Sequence, residues 1–176
     1  MSNSLPDVLA PGLAVVFIGI NPGARAAAAG HNFAGSNNRF WRVVHLAGFT
    51  PVELSAEQDQ TFVKYGCGLT TAVARPTRRA EEVTRAEVIA GVAVLKVKIE
   101  RYAPGTIAFL GKAAFAAING QREVIWGPQP GRFAGAAVWV VPNPSGLNRG
   151  FSLDELVIAY AALRRAVAKD LPALRP

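Results

Sequence analysis

The sequence predicts an α/β fold with a mostly parallel sheet covered on both faces. Short apolar runs rich in β-branched residues alternate with segments of helical periodicity, which is the pattern of parallel strands joined by helices. Three of these runs are predicted to be buried strands, namely 13–20, 106–110 and 137–141. A Ser or Thr followed three residues later by Glu or Gln, the capping-box pattern, marks helix starts at Ser55, Thr84 and Ser152.

The remaining elements follow from local signals. A helix is predicted over 40–47, where Gly48 stops it, and another between Gly111 and Gly120. A short strand is predicted over 66–70, and the segment 21–38 is expected to be a long ordered loop, a length that is usually functional. We expect one domain over residues 1–176, with flexible ends at 1–10 and 170–176.

The composition limits which partners, metal sites and disulfides are possible. The chain has 176 residues with 19 Lys and Arg against 12 Asp and Glu, a net charge of +7. This excess suits a polyanionic partner, although solubility alone would also explain it. One cysteine and two histidines exclude a disulfide within the chain, a Cys/His zinc site and a four-cysteine iron–sulfur site. A carboxylate-only metal site stays open, but no clustered acidic motif points to one.

No segment is typical of a signal peptide or of a membrane span. The N-terminus lacks a basic stretch followed by an apolar run, and the longest apolar runs are too short to cross a bilayer. We therefore expect a soluble cytoplasmic protein.

Two asparagine turns follow predicted strands directly. The first is Asn21-Pro-Gly23 after the first strand, and the second is Asn143-Pro-Ser-Gly146 after the last. Ligand sites of open α/β sheets form outside the carboxyl ends of the strands, so both turns are expected to face one crevice. Either turn alone would more readily be a simple loop turn.

The motifs around these turns resemble the mismatch-specific uracil/thymine-DNA glycosylase family. Residues 19–23 (Gly-Ile-Asn-Pro-Gly), 30–34 (Gly-His-Asn-Phe-Ala) and 38–41 (Asn-Arg-Phe-Trp) are similar to its first signature, and 143–149 (Asn-Pro-Ser-Gly-Leu-Asn-Arg) to its second. The intervening stretches 66–70 and 110–113 match as well. The resemblance extends from about Leu13 to the last helix.

This resemblance implies a three-layer α/β/α sandwich and no cofactor. It also implies a monofunctional enzyme of base excision repair that flips uracil, and related modified pyrimidines such as ethenocytosine, from opposite guanine and hydrolyses its bond to the sugar. The expected partner is double-stranded DNA with a uracil:guanine or related mismatch. The protein is expected to be a monomer that associates with the nucleoid. No Lys lies in either motif to attack the sugar as a Schiff base.

The resemblance implies a role for each motif residue. By this resemblance Asn21 is expected to be the catalytic residue that holds the hydrolytic water, with local turn capping as the alternative. Because an amide cannot accept a proton as a carboxylate does, we expect slow chemistry. The expected base-binding residues are Ile20, Gly23, Ala26, Phe33 and Asn143. Phe33 would stack on the flipped base, unless it is a core residue, and Asn143 stands where stricter uracil enzymes carry a His.

The expected DNA-binding residues form a segment that we term the leucine loop, Ser145, Gly146, Leu147, Asn148 and Arg149. A Leu exposed on such a loop can occupy the space that a flipped base leaves, and Arg149 can contact the stranded guanine or a phosphate. The alternative is a Leu packed against its own domain. Phosphate contacts are also open for Lys112 and for the arginines at 75, 78, 79 and 85, which otherwise are solvated surface residues.

The residue at position 26, Ala26, affects which bases we expect the enzyme to accept. Strict uracil members have Ser at the matching place near C5 of the base, and thymine-acting relatives have Ala. We therefore expect some activity on thymine opposite guanine. Two other classes stay open: a non-catalytic binder of mismatched DNA, and a nucleotide-binding metabolic enzyme, against which the missing Gly-x-Gly-x-x-Gly and Walker patterns speak.

Overall fold

A computed structural model describes residues 5–173 and contains a five-stranded sheet with the order β2-β1-β3-β5-β4. The strands are β1 (Val15–Gly19), β2 (Cys67–Thr71), β3 (Thr106–Leu110), β4 (Gly127–Phe133) and β5 (Ala136–Val141). β1 pairs in parallel with β2 and β3, and β3 pairs in parallel with β5. Only the edge strand β4 is antiparallel to its neighbour, β5, among the strands of the described residues.

Helices cover both faces of this sheet. The helices are α1 (Ala24–Ala29), α2 (Phe40–Leu46), α3 (Arg85–Tyr102), α4 (Lys112–Asn119) and α5 (Leu153–Ala166), with 3₁₀ helices at Ala56–Tyr65, Ala80–Glu82 and Ala168–Asp170. One buried cluster joins the sheet to α2, α5 and the long 3₁₀ helix, and a second joins it to α3 and α4. The predicted three-layer α/β/α fold with a mostly parallel sheet is confirmed.

The interior strand β1, which lies between β2 and β3, supplies both hydrophobic clusters. Val15 and Phe17 belong to the first cluster, and Val16 and Ile18 to the second, because successive side chains of a strand point to opposite faces. The Phe17 ring lies at the centre of an aromatic group, 5.4 Å from the Phe40 ring and 5.9 Å from that of Tyr160 (centroid distances). The α2 and α5 layer is thereby fixed against the sheet.

The capping boxes all form. Thr84 and Ser152 accept hydrogen bonds from the main-chain N–H groups of Glu87 and Glu155 at the starts of α3 and α5. Ser55 forms the same box with Gln58, but the helix that it begins is a 3₁₀ helix.

Two elements differ from the sequence prediction. The segment 21–38, predicted to be loop throughout, contains α1, a single run of Ala with one Arg that ends at Gly30 in the left-handed region. Alanine has the highest helix propensity, so this run can form a helix. The sequence does not predict it because the segment has no amphipathic period. β4 was not predicted at all, because its sequence Gly-Pro-Gln-Pro-Gly-Arg-Phe is poor in strand formers. It forms at an edge and has a register shift between Pro128 and Arg132, the setting in which a sheet tolerates proline.

The predicted flexible ends fall partly outside the described residues. Within these, Val8 is fully buried and exchanges two main-chain hydrogen bonds with Leu69, so the chain is tied to β2 from this point onward. Among residues 5–173, no helix combines the length and the apolar character needed to cross a membrane.

Candidate functional site at the carboxyl edge of the sheet

Both asparagine turns lie at one edge of the sheet. The parallel strands β1 and β5 flank β3, so the turns that follow them emerge on the same side, with Gly111 between them. The Gly111 N–H donates to the Val141 carbonyl at 2.7 Å, and a Cβ on Gly111 would lie 3.5 Å from Cβ of Asn143. Both turns therefore leave the sheet at one edge, and the crevice expected between them stays a prediction.

The amide of Asn21 has a defined orientation. Its Nδ2 donates to the carbonyl oxygen of Arg75 and to Oγ1 of Thr77, each at 2.8 Å. Both amide protons are thereby used within the protein, which leaves Oδ1 as the group that can accept a hydrogen bond from a ligand or water. Asn21 is half-buried, so this oxygen belongs to a site with partial access to solvent.

Thr77 holds Asn21 in this orientation. Its side chain is buried, and its hydroxyl donates to the Arg79 carbonyl at 2.7 Å, so a lone pair of Oγ1 faces the Asn21 amide. The main chain is fixed as well, since Ala24 N donates to Thr77 O and Thr77 N to Pro22 O. Sequence reasoning missed Thr77, because it lies in an arginine-rich stretch without periodicity.

Arg75 has a structural role that the sequence analysis left open. Its guanidinium donates through Nη2 to Oε2 of Glu87 at 3.0 Å and to the Glu82 carbonyl at 2.9 Å. The hydrogen bonds from Arg75, and then those from Thr84, lower the pKa of Glu87 to about 2. This pairing anchors the segment whose carbonyl oxygen accepts from Asn21. The Arg75 side chain is exposed, so a phosphate contact for it stays a prediction.

Phe33 lies in a strained, partly buried position. Its φ of 57° is in the left-handed region, which is uncommon for an aromatic residue. One face of its ring stacks on Phe40, with a centroid distance of 4.0 Å and an interplanar angle of 17°. Phe33 is half-buried, so its ring packs on the core and keeps some exposure, and its stacking on a flipped base stays a prediction.

A buried carboxylate fixes the loop before Phe33. Asp59, which is 1% exposed, accepts hydrogen bonds at Oδ2 from the Asn32 main-chain N and Nδ2, at 2.9 and 3.0 Å. The indole Nε1 of Trp41 donates to the Asn32 carbonyl at 3.1 Å. His31 lies 3.7 Å from the second Asp59 oxygen. The His31 ring therefore lies beside this loop anchor.

Asn143 orders the turn that follows β5. Its Oδ1 accepts from the Ser145 main-chain N at 2.9 Å, and its carbonyl accepts from Nδ2 of Asn148 at 2.9 Å. Since Oδ1 is used, the group that Asn143 can present to a ligand is the Nδ2 donor. Beneath this turn the buried Tyr160 hydroxyl donates to the Pro142 carbonyl at 2.9 Å, and burial raises the pKa of Tyr160 well above its usual value.

Leu147 projects from the leucine loop. It is 80% exposed, whereas a Leu packed against its own domain would be covered. The loop is tightened by hydrogen bonds from Asn148 N to Ser145 O at 3.0 Å and from Leu147 N to Ser145 Oγ at 3.2 Å. Gly146 lies against Asn37, whose carbonyl oxygen would overlap with any Cβ at position 146. Arg149 is exposed at the end of this loop.

Arg39 joins the two signature motifs. Its guanidinium donates to four carbonyl oxygens, those of Pro144, Ser145, Asn148 and Phe151. Arg39 lies within the 38–41 motif, but sequence reasoning gave it no role, because nothing in that motif shows that its partners lie over a hundred residues away.

The other predicted site residues lie around the first turn. Ile20 is half-buried, and its carbonyl accepts from Val73 N at 2.8 Å. Gly23 is exposed at the N-cap of α1, and Ala26 is buried in that helix.

Lys112, at the start of α4, has its Nζ 4.8 Å from the centre of the Trp126 ring. The Trp126 ring in turn contacts Phe151 edge-on, with a centroid distance of 5.3 Å.

Neither asparagine turn at this edge of the sheet carries a carboxylate. Cys67, the lone cysteine, is buried in β2, and burial raises the pKa of its thiol, so it is a packing residue. In the part of the chain that the structure describes, no three His, Cys, Asp or Glu side chains group as metal ligands. A cavity of about 440 Å³ borders Phe33 and Arg39 but is lined by neither Asn21 nor Asn143.

Comparison with known proteins identifies the class. The family model of the uracil DNA glycosylase superfamily matches residues 6–166. The solution NMR structure of a protein from Methanosarcina acetivorans, described as a "putative Uracil DNA glycosylase", has the same fold, with a TM-score of 0.62. At 20% sequence identity, the match covers 93% of this chain and 97% of that one.

The chain therefore belongs to the uracil DNA glycosylase superfamily. It is a member of a family of DNA glycosylases, enzymes that hydrolyse the N-glycosidic bond between a base and its sugar, and DNA is the partner that this membership supports.

Proposed function

We propose that this protein is a monofunctional glycosylase that removes uracil, and related pyrimidines, from opposite guanine in duplex DNA. The observation that carries the proposal is the orientation of the Asn21 amide, whose two N–H bonds to Arg75 O and Thr77 Oγ1 leave Oδ1 as an acceptor at this edge of the sheet. An oxygen held in this way can accept a hydrogen bond from water and aim the water's lone pair at C1′ of the sugar. The net charge of +7 favours approach to DNA.

Each turn is proposed to assist one part of the reaction, Asn21 the attacking water and Asn143 the departing base. As the C1′–N1 bond breaks, its electron pair leaves with the base, positive charge develops on the sugar, and the water oxygen bonds to C1′. The proton lost by the water balances the one gained by the released base. Nδ2 of Asn143, left free by the bond from Ser145 N to Oδ1, is the donor proposed to stabilise the base anion.

The base would lie against the ring of Phe33. The face of Phe33 that stacks on Phe40 is occupied, so the flipped pyrimidine is proposed to contact the part of the ring that remains exposed. Backbone groups of Ile20 and Phe33 would read the base edge, and Gly23 permits close approach of the main chain. The hydrogen bond from Asn32 N to Asp59 would keep the loop that carries Phe33 in place before DNA binds.

The first test is base release from defined duplexes. We expect single-turnover release of uracil opposite guanine, and a fall of about a hundredfold for Asn21→Ala with duplex binding retained, because the water loses its positioning group. Asn119→Ala, which removes an amide at the far end of α4, is the matched control and should leave the rate unchanged. A protein that binds the mismatched duplex but releases no base would instead be a non-catalytic mismatch binder.

Thr77 is predicted to act through Asn21. Thr77→Val removes the hydroxyl that accepts from Asn21 Nδ2, and loss of one such hydrogen bond, worth about 0.5–1.5 kcal/mol, should lower the release rate about two- to tenfold. Thr77→Ser keeps the hydroxyl and should restore most of the rate. Equal rates for the Val and Ser variants, with matched thermal unfolding midpoints, would show that the hydroxyl does not orient Asn21.

Leu147 is proposed to fill the space that the flipped base vacates. Leu147→Ala should lower release from duplex DNA about tenfold or more, since burying a Leu side chain contributes about 1.5–3 kcal/mol, and should change release from single strands little. Leu46→Ala, at another exposed Leu, is the control. An equal loss on both substrates would count against insertion.

Ala26 is proposed to admit thymine. A methyl side chain at this position leaves room beside C5 of the base, so we expect slow release of thymine opposite guanine at stoichiometric enzyme. Ala26→Ser should abolish thymine release and retain uracil release, while Ala28→Ser on the exposed side of α1 should alter neither. Absence of thymine product from the unaltered protein over a full time course would rule out this specificity.

A further inference from the structure

We infer that Arg39 is a positioning residue that holds the leucine loop in the shape needed for insertion. The inference rests on the proposed role of Leu147 and adds the group that organises it. Arg39 is not expected to touch the base, the sugar or the attacking water.

The contacts of Arg39 are directed at one segment of main chain. Nε donates to Pro144 O at 3.3 Å, Nη1 to Phe151 O at 2.7 Å, and Nη2 to both Ser145 O at 3.0 Å and Asn148 O at 2.9 Å. The main-chain N of Arg39 also donates to Pro144 O, at 3.2 Å. These acceptors lie on both sides of Leu147, so the guanidinium spans the base of the loop.

This segment depends on a side chain for its shape. Residues 142–151 form no helix or strand, so most of their carbonyl groups have no main-chain partner. A planar guanidinium carries five N–H groups in a rigid fork and can serve several carbonyls at once. A lysine ammonium has three donors on one atom and cannot span the same set of acceptors.

Arg39 also connects the leucine loop to the aromatic stack. It is the N-cap residue of α2, and the next residue, Phe40, carries the ring on which Phe33 stacks. Gly146 packs against Asn37 just before this point. Leu147 and Phe33 are therefore held at a fixed separation, which reduces the ordering that DNA binding would otherwise require.

The test is a double-mutant cycle between Arg39→Lys and Leu147→Ala, measured as single-turnover uracil release from duplex and single-stranded DNA. We expect Arg39→Lys to lower the duplex rate about tenfold and the single-strand rate much less. The double variant should match Leu147→Ala alone, because a misplaced loop and a missing leucine remove the same step. Arg42→Lys, an exposed arginine on the same helix, is the control. Fluorescence of 2-aminopurine beside the uracil reports flipping and should fall with the duplex rate.

Several outcomes would overturn the inference. These are an equal loss on both substrates, multiplicative effects in the double variant, or no effect of Arg39→Lys although Leu147→Ala is duplex-selective. If Leu147→Ala does not change the ratio of duplex to single-strand rates, the proposed role of Leu147 fails and this inference fails with it. Gly146→Ala, which forces the loop away from Asn37 and leaves Arg39 intact, should reproduce the duplex-selective loss. If Arg39→Lys does not fold, as judged by thermal unfolding, Arg39→Gln, which keeps an amide donor but loses the guanidinium fork, takes its place in the cycle.

Discussion

The parallel pairing of β1, β3 and β5 is the constraint on which the site depends. Because the three strands run in one direction, the turns that begin at Asn21 and Asn143 must leave the sheet at the same edge, with Gly111 between them. Neither turn would form a site alone, since each contributes one amide. The buried ring of Phe17 and the two hydrophobic clusters fix the strands relative to the helices that complete the edge.

Hydrogen bonds from side chains to main-chain carbonyl oxygens hold the loops of the candidate site in place. The Asn21 amide donates to the carbonyl of Arg75, and Arg39 donates to four carbonyls beside and within the leucine loop. Loops without ladder partners have unsatisfied acceptors, and polar side chains from distant segments satisfy them. The same bonds orient the groups that the proposed chemistry would use, so these contacts would serve both stability and the proposed function.

The chemistry proposed for this edge relies on position rather than on proton transfer. Neither turn carries a carboxylate or an imidazole, and the amides of Asn21 and Asn143 can donate or accept hydrogen bonds but do not take a proton from water. Rate acceleration must therefore come from placement of water and stabilisation of the departing base. The proposed chemistry is therefore expected to be slow.

The sequence by itself determined the alternation of strands and helices, the capping boxes at Ser55, Thr84 and Ser152, and the two asparagine turns, because periodicity and capping are local properties. It missed β4, whose prolines and glycines form a strand only through pairing with β5, and α1, which has no amphipathic period. Only the tertiary structure decided that Thr77, Asp59 and Arg39 belong to the site. Their partners are distant in the chain, and folding alone brings a hydroxyl, a carboxylate or a guanidinium to the main-chain groups that need it.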